Sequence, residues 1–169
     1  MPGKAKSLAR ASLSAAAGVA VLYLGAIVPG IRLSVLCVAT LGVAFVKMSC
    51  PGWWPLGCYG VTASLALLLL PDKTLAILYA LFMGYYPLVK LRAERCAGRL
   101  LRWGVKLGAF HAAALALFLL IRAFSLMTIP DGTAILVLWA AGLLFFLAYD
   151  YALGLLFLYY LRKIAGRIR

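Results

Sequence analysis

Apolar residues in this chain come in long runs, separated by short breaks that carry its prolines, glycines and most of its charge. About 20 apolar residues in helical geometry cross a hydrocarbon core, and six runs approach that length. They extend from about Leu8 to Val28, Ile31 to Met48, Trp54 to Leu70, Thr74 to Val89, Leu101 to Met127 and Thr133 to Leu161. The breaks are Pro29-Gly30, Cys50-Pro51-Gly52, Pro71-Asp72-Lys73, a basic hairpin after Val89, and the stretch Ser125 to Gly132. The pattern predicts an all-α polytopic membrane protein, a single bundle of six transmembrane helices forming one domain over residues 1–169. The second, third and fourth runs are short, so those helices should tilt little or thin the bilayer locally. The first run follows basic residues as a signal peptide would. No convincing cleavage site follows it, and it is expected to stay as a helix.

Charge gives this layout a direction. No charge falls from Thr74 to Val89, and then Lys90, Arg92, Arg95, Arg99, Arg102 and Lys106 stand against the single Glu94. Moving such a cluster across a bilayer is disfavoured, which holds the hairpin on the cytoplasmic side. Alternation from there puts both termini inside. Arg32, Lys73 and Arg122 are then the only outer cations, and the other fourteen of the 17 lysines and arginines are inner. Trp53, Trp54, Trp103, Tyr159 and Tyr160 fall at inner helix ends, as an aromatic belt does. The composition agrees: 66% of residues are hydrophobic and the mean hydropathy is +1.05, against about 45–50% apolar in soluble domains. A net charge of +13 would point to nucleic acid in a soluble chain. Here the basic residues flank apolar runs, so anchoring and contact with anionic headgroups are expected and nucleic-acid binding is not.

Candidate chemistry is sparse. Four cysteines without a CxxC pair and one histidine do not make a metal site, and neither a disulfide nor a cofactor is expected. HExxH, GxSxG and Walker A motifs are missing, so the chain is not expected to be an enzyme. Asp150 is the only acid inside an apolar run. It is costly at bilayer depth without compensation; His111 lies at similar depth, and Lys106 can snorkel from below. That leaves a structural pair, a proton or cation site, or a protonated carboxyl. Tyr149 and Tyr151 are expected off its face, because adjacent helical residues point about 100° apart.

Two further places draw notice. Gly84-Tyr85-Tyr86-Pro87 reads as an interfacial anchor with a helix terminator, or as a hinge. The first run carries small residues at four-residue steps, Ser7, Ala11 and Ala15 beside Ser12, Ala16 and Ala20, which permits close helix packing within the bundle or against a partner. On the outer side Arg32, Arg122, Ser125, Thr128 and Asp131, with Tyr79 and Trp139 just below, form a candidate lining for a small polar or aromatic ligand.

Six short helices, a basic start leading into Ala11-x-x-x-Ala15 and inner termini resemble the substrate-binding S components of energy-coupling-factor transporters. More narrowly, LLLLPDKTLAILYALFMGYYPLVK and the closing LAYDYALGLLFLYYLRK resemble small uncharacterised membrane proteins of clostridia-like bacteria. The resemblance implies a transporter subunit of the bacterial cell membrane. It would capture an unknown small solute outside and be energised by a membrane-embedded coupling subunit with ATPase subunits, docked through Ala11 and Ala15. The loops Pro29–Arg32, Pro71–Lys73 and Ser125–Gly132 would gate the ligand. No vitamin-specific or nickel- or cobalt-binding motif is present. A non-transporting structural or assembly protein and a small ion-coupled carrier using Asp150 are the other readings.

Overall fold

The computed structural model describes residues 4–94, 98–124 and 132–165, and every element among them is helical. The helices are α1 (Lys4–Ile27), α2 (Arg32–Ser49), α3 (Trp54–Leu69), α4 (Lys73–Leu78), α5 (Tyr86–Ala93), α6 (Arg99–Phe124) and α7 (Gly132–Ala165), with a 3-10 turn at Pro29–Ile31 and a π-helical turn at Tyr79–Met83. Five segments are long and apolar enough to cross a membrane: Lys4–Ile27, Arg32–Ser49, Lys73–Ala93, Arg99–Leu120 and Ile135–Tyr159; Trp54–Leu69 is a shorter apolar helix. Less than half of each long segment is buried, and the outward faces carry Leu13, Leu24, Leu33, Leu68, Leu119 and Leu144, all more than half exposed. A water-soluble protein turns polar residues outward on such helices. These exteriors suit lipid.

Contacts divide the chain into two units, residues 1–120 and 121–169, each described here by itself. In the first unit α1 packs along α2 and against α3, while α2 also meets α3 and α5. The contact face of α1 is Ser7, Ala11, Ala15, Gly18, Leu22 and Gly25. Small side chains bring the backbones together. A Cβ on Gly25 would stand 2.7 Å from Val35 Cγ1, and one on Gly42 would stand 3.1 Å from the Ser14 carbonyl oxygen. Ala11 and Ala15 share a core with Val43, Val46, Cys50 and Cys58, against which Trp54, Tyr59 and Leu88 pack.

Local chemistry explains where the helices start and stop. Gly52, at φ +79°, turns the chain between α2 and α3, a backbone setting glycine adopts without strain. Pro55 then lies in the first turn of α3, where its missing N–H costs nothing. Asp72 caps α4, its carboxylate accepting from the N–H groups of Thr74 (3.0 Å) and Leu75 (3.4 Å). Lys73 reaches back and donates to the carbonyl of Leu67 at 2.8 Å, closing the last turn of α3.

The second unit includes α7, whose buried residues Phe146, Tyr149, Asp150, Leu153 and Phe157 recur at helical spacing. Tyr149 is 6% exposed and Asp150 7%. The expectation that Tyr149 stays off the face of Asp150 is therefore corrected, because a buried arc about 100° wide takes in two neighbours. Tyr151, at 69% exposure, is off it.

Candidate functional site at the broken fourth span

The run from Thr74 to Val89, expected as one helix, is two helices joined by a π-helical turn. α4 gives way at Leu78, the backbone widens over Tyr79–Met83, and α5 begins at Tyr86. Gly84 N–H donates to the Tyr79 carbonyl at 2.8 Å, five residues back instead of four, which releases the carbonyl of Ala80. The hydroxyl of Tyr59 on α3 donates to that carbonyl at 2.7 Å. Pro87 lies in the first turn of α5; it starts this helix and does not terminate the one before.

Gly84 permits the packing around the turn. A Cβ there would lie 2.8 Å from Tyr59 Cε2 and 2.9 Å from Tyr79 Cε1. Ring centroids of Tyr59 stand 6.5 Å from Tyr79 and 6.3 Å from Tyr85, and Tyr85 donates its hydroxyl to the Ala109 carbonyl of α6 at 3.3 Å. Phe82 meets Phe110 of α6 edge-to-face at 5.1 Å. Tyr79 is fully buried, and among the described residues its hydroxyl has no hydrogen-bond partner. Thr62, which stands beside it, donates to the Cys58 carbonyl at 2.8 Å. Tyr85 and Tyr86 were expected as interfacial anchors; Tyr86 is 2% exposed, so the correction is that these rings fasten the bundle internally.

One turn beyond the break lies buried charge. Lys90 is 2% exposed, and its Nζ stands 3.6 Å from Glu94 Oε1; the Nζ of Lys106, on α6, reaches the same oxygen at 3.9 Å. Lys106 also lies 5.6 Å from the centroid of the Trp103 ring. A carboxylate between two ammonium groups offsets part of their desolvation.

The remaining sequence candidates fall as follows. Arg32 Nη2 stands 2.9 Å from Asp72 Oδ2, an ion-pair contact whose angle is not that of a hydrogen bond. Together with Lys73 this ties the start of α2 to the α3–α4 turn, so these groups serve helix ends. Tyr79 lies in the core and not at a mouth. Arg122 and Trp139 are exposed and belong to the second unit, and Ser125, Thr128 and Asp131 lie outside the described residues. Ala11 and Ala15 are 6% and 2% exposed, their surface taken up inside the first unit, and it is Ser12, Ala16 and Ala20 that face outward. His111 is exposed and its Nδ1 lies 2.7 Å from the Leu107 carbonyl, while Asp150 is buried on α7. Among the described residues no cluster of His, Cys, Asp and Glu is able to hold a metal ion.

Sequence reasoning singled out Gly84 and Pro87 but missed Tyr59 and the burial of Lys90. A glycine three residues before a proline was the available sign of a broken helix. No family model, curated protein or solved structure matches the chain. Fold and composition together define a class, the helical membrane proteins with several membrane-length apolar segments.

Proposed function

We propose that the chain is a six-span membrane protein with both termini cytoplasmic, acting as a solute-binding transport subunit of the S-component type energised by separate subunits. The observation that carries the transport reading is the interrupted fourth span. Backbone irregularity at membrane depth is tolerated where protein or a cavity surrounds it, and transporters place it at their working sites. A π-helical turn beside a proline lies one turn before the buried Lys90, which with Lys106 faces Glu94 at the start of the basic hairpin, so the irregular backbone adjoins buried charge.

Two experiments test the proposal. Labelling of Cys96 by an impermeant thiol reagent should fail on intact cells and succeed on inverted vesicles; the reverse overturns the topology. An ATPase activity should co-purify with the chain, and Ser12→Leu with Ala16→Leu, on the outward stripe of α1, should remove it without unfolding the bundle. Absence of any ATPase after mild extraction overturns the S-component reading.

A second reading, a non-transporting structural or assembly protein, is favoured by the commitment of Arg32, Tyr79, Ala11 and Ala15 to internal contacts. It predicts that substitutions at the π-helical turn change stability and nothing else.

A further inference from the structure

The π-helical turn brings two donors to one acceptor. The Ala80 carbonyl accepts from the hydroxyl of Tyr59 at 2.7 Å, while the N–H of Gly84, its partner in a regular α-helix, donates to the Tyr79 carbonyl at 2.8 Å. Were Gly84 to donate to Ala80, the Tyr79 carbonyl would take the N–H of Met83, and the extra residue of the turn would move along the chain. Pro87 lies three residues beyond Gly84, in the first turn of α5. It has no N–H, so the extra residue comes to rest there without stranding a backbone donor. Gly84 and Tyr85 already have right-handed helical dihedrals, φ −62° and −89°, so the move crosses no forbidden backbone region. Tyr79 packs with Tyr59 at 6.5 Å between ring centroids, and among the described residues its buried hydroxyl has no hydrogen-bond partner. A Tyr59 hydroxyl freed from Ala80 is a partner for it.

We propose that the fourth span has two hydrogen-bond registers and that Tyr59 is the latch that selects between them. In the latched register Tyr59 holds the Ala80 carbonyl and the turn is π-helical. In the other, Gly84 takes that carbonyl, Tyr59 is released, and the residues from Leu81 to Tyr85 rotate by about 100°. Phe82 then leaves Phe110, whose ring it meets edge-to-face at 5.1 Å, and Tyr85 leaves the Ala109 carbonyl, which it reaches at 3.3 Å. Tyr85 also lines a groove of about 460 Å³ together with Pro55, Leu56 and Leu88, so the wall of that groove changes with the register. One turn of helix moves between fixed ends, and it resets the contact with α6. The device rests on the packing of the first unit and stands independently of the transport reading.

The test uses the full-length protein in detergent micelles, with a single fluorophenylalanine in place of Phe110 read by fluorine NMR. Its resonance carries the ring current of Phe82 and so reports the register from a different helix. Tyr59→Phe removes the latch. Gly84→Ala instead sets a methyl 2.8 Å and 2.9 Å from the Tyr59 and Tyr79 rings of the latched register. The two variants act through different atoms, and both should populate one and the same second resonance, each moving the ratio of registers by roughly tenfold, the worth of one hydrogen bond. Saturation transfer detects the second register where it is the minor one. Gly60→Ala, with nothing within 4 Å of its Cβ, should keep the wild-type ratio. The proposal is overturned if neither variant gives a second resonance, if the two give different ones, or if the new line coincides with that of the denatured chain.

Discussion

Gly84→Ala tests the reasoning about the fourth span more sharply than any other single change. The backbone at Gly84 is right-handed helical, φ −62° and ψ −41°, so alanine meets no conformational obstacle there. In an open helix the change would stabilise, by about 0.4–1 kcal/mol through the unfolded chain. The new methyl instead arrives 2.8 Å and 2.9 Å from two tyrosine rings. Tyr59 is held by its bond to Ala80 and Tyr79 is fully buried, so neither ring yields freely. Overpacking of this kind costs about 1–3 kcal/mol, and displacing Tyr59 forfeits a hydrogen bond contributing about 0.5–1.5 kcal/mol. The balance is a net loss of about 1–3 kcal/mol, or roughly 2–12 °C in melting temperature at this chain length. A thiol-reactive fluorophore reads the transition, because Cys50 and Cys58 are only 4% and 3% exposed until the bundle opens. Gly60→Ala is the comparison, since nothing stands within 4 Å of a Cβ at that position, and it should be neutral or slightly stabilising. If Gly84→Ala melts with or above the wild type, the tyrosine packing described here is wrong.

Further changes probe the same structure from other sides. Tyr59→Phe strands the Ala80 carbonyl and should destabilise by about 1–3 kcal/mol in the same melt; in the Gly84→Ala background the loss should shrink, because both act on one contact. Ala15→Leu pushes three carbons into a 2%-exposed site and should cost about 1–3 kcal/mol, whereas Ala16→Leu on the outward face should be tolerated. Asp72→Ala removes a helix cap and an ion pair together, for about 1–2 kcal/mol. Arg32→Ala removes only the ion pair, for at most about 1 kcal/mol and less at high salt; equal losses for the two would refute the capping role.

The long elements were legible because their boundaries are written in local chemistry. Pro29-Gly30, Pro51-Gly52 and Pro71-Asp72 stop one apolar run and start the next, and helix ends fall within a few residues of those signals. The fourth span was read less well, since a proline near the end of an apolar run looks like a terminator. Whether it ends one helix or begins another depends on residues packed from elsewhere, here Tyr59, 25 residues before Gly84. The same limit applies to the stripes on α1. Their spacing announces close packing, but only the fold selects Ser7, Ala11 and Ala15 for the interior and leaves Ser12 and Ala16 outside. Arg32 and Asp72 stand 40 positions apart, and no local pattern joins them.

Burial of lysine also bears on the asymmetry from which an orientation was inferred. Positive charge orients a helix during insertion, before side chains find their final partners. Lys90 and Lys106 therefore weigh on topology although the folded chain shields both. Setting them aside still leaves twelve cations on the expected inner side against three on the other. Of those three, Arg32 is paired with Asp72, and Lys73 is engaged with the end of α3. Twelve against three still favours the proposed orientation, with the basic hairpin inside.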